Sequence, residues 1–198
     1  MSEIVVQTFL TLDGVAQAPG EKNEDPEGGF EHGGWQGASG IDQLIADWES
    51  RTEALLLGRK TYDIWLNAWA VWPEDAPGQM GELTRTYNRV PKYVATRTLT
   101  ELSWKNSHVV DDVPATVAAL RAEPGGEIRV WGSLNLIRTL AEHDLVDEYR
   151  LVQYPLVLGS GKKLFSDGFP TTNLALQQSW SVESGVVVSI YRRGDHRE

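Results

Sequence analysis

The sequence predicts an α/β fold, with a mostly parallel central sheet flanked by helices and an antiparallel hairpin at the C-terminus. Short apolar runs alternate with stretches of helical periodicity from residue 3 to about residue 157, the pattern of strands joined by helical crossovers. Two further runs, Leu174–Val182 and Val186–Arg192, flank Glu183-Ser184-Gly185 and read as the hairpin. At 198 residues, 41% of them hydrophobic and 23% charged, the chain suits a single domain, 1–198, with a sizeable core.

The elements follow in order. Residues 3–10 form a buried first strand that ends at the turn signal Asp13-Gly14. Residues 14–40, rich in Gly, Pro and acidic side chains, are irregular, and so long a loop inside a domain is usually functional. Ile41, Leu44, Ile45 and Trp48 fall at helical spacing. Ala54–Leu57 is a buried strand stopped by Gly58, followed by helices over Arg59–Leu66 and Gly81–Arg89. Lys92–Ala95 and Val109–Val110 are brief strands. Pro114 opens a helix at its first position, and the helix closes near Pro124-Gly125-Gly126. Ile128–Trp131 is a strand, Gly132-Ser133 leads into a helix to Glu142, and Glu148–Val157 is a long strand interrupted by Pro155. The Val186-Val187-Val188 run marks the hairpin as a sticky sheet edge.

Composition removes several function classes. The absence of cysteine rules out disulfides, thiol nucleophiles and cysteine-ligated metals, and it suits a cytoplasmic protein. A net charge of −10 argues against a broad nucleic-acid surface while leaving room for a local phosphate pocket. No signal peptide or membrane span is expected from the N-terminus or the short apolar runs. His32, His108, His143 and His196 lack metal-ligand spacing. Gly159-Ser160-Gly161-Lys162-Lys163 fails as a P-loop, because Leu156 and Lys163 stand where Gly and Ser or Thr are required.

Three strand-to-turn junctions carry chemistry. Leu57-Gly58-Arg59-Lys60-Thr61-Tyr62 brings a helix N-terminus and two cations together, an anion site unless it is merely a solvated turn. Val94-Ala95-Thr96-Arg97 ends a strand with a hydroxyl and a guanidinium. Val130-Trp131-Gly132-Ser133-Leu134 permits close backbone approach at Gly132, with Ser133 a candidate helix cap. In a parallel sheet, ligands bind outside the carboxyl ends of strands. Trp65, Trp69 and Trp72 are either core or the wall of a flat pocket for a planar ligand.

Gly58-Arg59-Lys60-Thr61-Tyr62 resembles the dihydrofolate reductase signature. Together with Thr11-Leu12-Asp13-Gly14, Gly132-Ser133, Val157-Leu158-Gly159-Ser160-Gly161-Lys162 and Leu164-Phe165, it is similar to the reductase domain of riboflavin biosynthesis and its stand-alone relatives, over essentially the whole chain. The resemblance implies a dihydrofolate reductase-like fold, NADPH as cofactor, a small-molecule substrate and a homodimer. It implies phosphates held by Gly58, Arg59, Lys60 and Thr61, and Thr96 and Arg97 beside the adenosine 2′-phosphate. Gly132, Ser133 and Leu134 would lie along the pyrophosphate, and Val15 and Ala16 near the nicotinamide. A guanidinium matches a phosphate dianion, so Arg97 would select NADPH over NADH.

Dihydrofolate reductases place a carboxylate on the helix before the Gly-Arg strand. Counting back from Gly58 puts Asp42 there, as a catalytic acid or as a helix cap. Asp13 and His32 are the other candidates, against the readings of turn residue and solvated loop histidine. Hydride transfer needs chiefly a held nicotinamide and a dry pocket, so a general acid is not required. The expected function is an NADPH-dependent reductase of the riboflavin-pathway type, with drift to another small substrate the expectation for a stand-alone member without the deaminase domain. A dihydrofolate reductase and a non-catalytic binder of nucleotides or planar ligands are the alternatives.

Overall fold

Eight strands form one sheet in the order β4-β3-β2-β5-β1-β6-β8-β7. They are β1 (Glu3–Thr11), β2 (Thr52–Gly58), β3 (Lys92–Ala95), β4 (Ser107–Val110), β5 (Glu127–Trp131), β6 (Glu148–Tyr154), β7 (Leu174–Ser181) and β8 (Val187–Arg193). The helices are α1 (Asp42–Glu49), α2 (Arg59–Ala68), α3 (Gly78–Arg89), α4 (Val113–Ala122) and α5 (Leu134–Glu142). The computed structural model describes residues 1–37 and 39–194, so His196 lies outside the described residues. Strands β1 to β6 pair in parallel, and β8 and β7 close the sheet antiparallel.

Layering explains the unbroken apolar run of β2. Ala54 and Leu56 pack with Val130 and with Ile137 and Leu140 of α5. Leu55 and Leu57 face the other way, onto Tyr62 of α2 and Leu83 and Tyr87 of α3. A parallel strand covered on both sides has no polar face to show. Trp48 at the end of α1 joins a third cluster with Val152, Val186 and Val188 under the hairpin.

Three sequence expectations shift. Strand β6 stops at Tyr154 rather than Val157, because Pro155 offers no N–H to the ladder. Pro114 stands second in α4, after Val113, and Asp112 caps the helix by accepting from Ala115 N at 2.9 Å. The valine run is not the sheet edge. Val186 and Val188 are buried and β8 is flanked by β6, so the edge is β7, where Leu176 is exposed. Gly185 makes the tight hairpin possible with a φ of 82°, a conformation that favours glycine.

The 14–40 segment is irregular but tied down. Gln17 is buried, and its amide donates to the carbonyls of Asp25 and Glu27 at 2.9 and 3.0 Å and accepts from Lys162 N at 2.9 Å. Trp35 Nε1 donates to the Gln17 carbonyl at 2.7 Å. The 159–163 loop therefore packs beside the 14–40 loop, with Val15 bridged to Lys163. Among the described residues no helix is long and apolar enough to cross a membrane.

Candidate functional site

The chain leaves β1 in the middle of the sheet, fills the β2–β4 side, and returns through β5 to the other side. That reversal opens a crevice at the carboxyl ends of β2, β5 and β1, the position where open α/β sheets bind ligands. Gly58 ends β2 and α2 begins at once with Arg59. Gly132 and Ser133 take consecutive left-handed conformations, φ 50° and 53°, before α5 starts at Leu134. Side chains lock the two junctions together. Ser133 Oγ accepts from Gly58 N at 2.9 Å and donates to Thr61 Oγ1 at 2.9 Å, and Thr61 Oγ1 accepts from Ser133 N at 3.1 Å.

Ser133 is thus spent across the junction and does not cap its own helix, a correction to the capping expectation. Neither α2 nor α5 has a side-chain N-cap. The leading N–H groups of both helices border one cleft, with the partial positive charge that an anion requires. The cleft encloses about 1600 Å³. A single small-molecule site usually spans ~300–1,000 Å³, so there is room for a dinucleotide and a second ligand side by side.

Four Lys and Arg side chains line the cleft, and they are not equivalent. Arg59 donates to Thr98 Oγ1 at 2.6 Å and lies 3.5 Å from Asp63. Lys60 and Lys162 share two carboxylates of the long loop: Lys60 reaches Glu27 and Lys162 reaches Asp25, each at 2.7 Å, with the crossed pairs also formed. Burial pushes the Asp25 carboxyl up, but hydrogen bonds from Lys162 and Lys60 outweigh it and leave the group below its ordinary range. The same two lysines hold Glu27 down. Arg97, beyond the end of β3, is exposed and makes no hydrogen bond or ion pair with any described residue. Thr96, its neighbour, turns its hydroxyl to the N–H groups of Thr98 and Leu99 at 3.3 and 3.2 Å.

The other end of the cleft is aromatic. Trp65 stands 4.8 Å from Tyr87, 6.0 Å from Trp69 and 6.1 Å from Trp131 between ring centroids, and Phe9 continues the wall 5.1 Å from Trp131. Trp65, Trp69 and Trp72 all line the cleft. A buried polar cluster supports this wall. Glu49 accepts from Trp131 Nε1 at 3.1 Å and from Thr52 Oγ1 at 3.2 Å, and lies 3.8 Å from Arg129. Thr8 also lines the cleft, and its buried hydroxyl lacks a hydrogen-bond partner among the described residues.

Of the residues singled out in the sequence, Ala16, Asp42, Gly58, Arg59, Lys60, Thr61, Thr96, Arg97, Gly132, Ser133 and Leu134 line the cleft. Asp42 is the first residue of α1, and that helix has no side-chain cap, so the capping alternative falls away. Its carboxylate makes no hydrogen bond or ion pair with any described residue. Three candidates lie elsewhere. Val15 is fully buried and packs with Ala18 and Phe30 behind the cleft wall. His32 is exposed in the long loop, edge-on to Phe30 at 5.7 Å. Asp13 ties the first turn to the 158–159 backbone, accepting from Thr11 Oγ1 at 2.6 Å and from Gly159 N at 2.9 Å. Sequence reading missed Gln17, Asp25, Glu27 and Lys162, which meet across gaps of up to 145 residues and leave no local pattern.

Asp13 gives a stability test. Its pKa is lowered to about 2, first by the Thr11 hydroxyl and then by the backbone N–H groups. A depressed carboxylate contributes stability above its unfolded value, ~3.9, and loses it as pH falls towards 2. Asp13→Asn is expected to cost about 1 kcal/mol at pH 6, the difference between charge-assisted and neutral hydrogen bonds, limited by solvent screening. In urea titrations the gap to the unsubstituted protein should close between pH 4 and pH 2. A gap independent of pH would mean that the turn does not depend on the charge.

Comparison with known proteins agrees with this architecture. The family model of the RibD C-terminal domain matches residues 2–188. The uncharacterized protein YyaP of Bacillus subtilis (strain 168) is 30% identical over 192 residues, 95% of this chain and 93% of its own length. A provisionally assigned riboflavin biosynthesis protein from Shewanella sp. PV-4 superposes with a TM-score of 0.69 at 21% identity, covering 97% of this chain and 99% of that one. A dihydrofolate reductase from Enterococcus faecalis, complexed with NADP(H), superposes with a TM-score of 0.61 at 13% identity, over 98% and 97% of the two chains. The fold is dihydrofolate reductase-like.

Proposed function

The chain belongs to the RibD C-terminal domain family, and from that membership we propose that it is an NADPH-dependent reductase that passes hydride to a small substrate. The reaction type is that of the 5-amino-6-(5-phosphoribosylamino)uracil reductase of riboflavin biosynthesis. The observation that carries the reading is the pair of uncapped helix N-termini, α2 and α5, bordering one cleft with an unpartnered Arg97. A pyrophosphate suits the first two, and a terminal phosphate suits the third.

On this reading NADPH supplies the hydride, and the chain's own residues bind, orient and dry the reactants. Gly58 and Gly132 let the backbone approach the diphosphate, and the Ser133–Thr61 bond keeps both helix ends in register. Arg59 and Arg97 face the adenosine half. Thr8 of β1 and Ala16 in the loop after it border the place where the nicotinamide meets the substrate, and the aromatic wall excludes water there. Asp42 is the candidate proton-holding group at the substrate end. Its position also favours a second reading, a dihydrofolate reductase. The proposal includes a homodimer in the cytoplasm, and light scattering on the purified protein checks the dimer.

The test is a titration with NADPH and NADH, followed by quenching of the cleft tryptophans, and then turnover of the pyrimidine intermediate and of dihydrofolate. NADPH binding with consumption in the presence of either compound supports a reductase and separates the two readings. Binding without turnover of any planar substrate would favour a non-catalytic binding module. No binding of either dinucleotide would sink the proposal.

A further inference from the structure

The cleft is cationic at one end and not at the other. Its Lys and Arg residues sit at the N-terminus of α2, beyond β3 and on the 159–163 loop. The wall built from α1, residues 64–72 and α3 contributes no Lys, Arg or His to the lining among the described residues. It offers the rings of Trp65, Trp69 and Tyr87, the amide of Gln79 and the carboxylate of Asp42. Arg129 lies beneath this wall but is fully buried and engaged by Gln7, Trp48 and Glu127. Outward the wall continues as an apolar rim, with Trp72 44%, Met80 42% and Val71 70% exposed.

We infer that the substrate end takes a planar heteroaromatic compound that carries no phosphate. The inference deepens the reductase reading and rests on it for the assignment of the two ends. A phosphate dianion is recognised by guanidinium, ammonium or free helix N–H groups. The substrate end has neither cation. The N-terminus of α1 does open there, but Asp42, its first residue, already places a negative charge on it and repels a second one. Aromatic rings 4.8–6.1 Å apart make a surface suited to a flat ring, which gains by stacking and by leaving water. The substrate therefore departs from a phosphoribosylated pyrimidine in the group that most demands a cation.

Riboflavin and riboflavin 5′-phosphate are matched probes, sharing one ring system and differing by one phosphate. The protein is first saturated with NADP+, which fills the cation-lined end and delivers no hydride, and that step is read on its own by calorimetry. Flavin fluorescence, quenched on stacking against tryptophan, then reports binding at the other end. Riboflavin is expected to bind at least tenfold more tightly than its 5′-phosphate. Asp42→Asn, at an exposed position, should narrow the gap, and Asp42→Lys should reverse it. Equal or tighter binding of the phosphate ester, or no riboflavin binding to the NADP+ complex, overturns the inference and leaves the cofactor site standing. Failure of NADP+ itself to bind removes the reductase reading, and the assignment of ends goes with it.

Discussion

Arg129→Met lowers the stability of the fold by about 3–5 kcal/mol at pH 7, the usual cost of removing one partner from a buried ion pair. Arg129 is fully buried in the middle of β5, and it is held by Gln7 Oε1 at 2.7 Å and the Trp48 carbonyl at 2.9 Å, besides Glu127. Glu127 keeps Arg150 when Arg129 is lost, at 2.8 and 2.9 Å. Glu49 has no such reserve. Burial already pushes its carboxyl up, and Arg129 is the main group opposing that rise. Without the guanidinium the folded-state value climbs further above the unfolded one. A carboxyl raised by folding is tolerated below its unfolded value and costs stability as pH rises through the folded one. The deficit of Arg129→Met is therefore expected to be largest at neutral pH and to shrink towards pH 5. Adding Glu49→Gln removes the stranded charge, keeps an acceptor for Trp131, and should restore part of the loss. Denaturant midpoints of the three variants across pH 5–8 provide the check. An equal deficit at every pH, unaffected by Glu49→Gln, would assign the cost to packing alone.

That pair also shows where sequence reading stops. The strands and helices were legible because their apolar positions repeat at two or 3.6 residues, and because glycine and proline mark their ends. The two uncapped helix N-termini at the cleft were legible for the same reason, since Gly58-Arg59-Lys60-Thr61 and Gly132-Ser133 sit directly at strand ends. Arg129 left a weaker signal, a charge inside Ile128–Trp131, where a fully buried strand admits only a paired one. Its partner Glu49 lies eighty residues earlier and could not be read from spacing. Asp25 and Glu27 are two of several acidic residues in the 14–40 loop, and nothing in their spacing shows that the fold brings two lysines onto them. Asp13 and His32 stand out for their chemistry, which the sequence displays. Their orientation relative to a cleft depends on packing between distant segments, which it does not.

Lys60 and Arg97 are both cations on the cleft wall, and they are expected to differ sharply in what they contribute to cofactor affinity. Arg97 has no described protein partner, so a bound phosphate would supply its first ionic contact. Charge-assisted hydrogen bonds of that kind contribute about 1.5–3 kcal/mol, or roughly 10- to 100-fold in Kd. Arg97→Ala should weaken NADPH by that factor and leave NADH, which lacks the 2′-phosphate, within about twofold. Lys60 is already neutralised by Asp25 and Glu27, which its ammonium would have to leave in order to serve a ligand. Lys60→Ala should cost much less than Arg97→Ala, and Asp25→Asn with Glu27→Gln should tighten NADPH by releasing Lys60 and Lys162 together. Tryptophan quenching with both dinucleotides measures all three variants. A Lys60→Ala loss as large as that of Arg97→Ala would mean that the carboxylate clamp opens when the cofactor arrives. The 14–40 loop would then be a moving part of the site rather than a fixed wall.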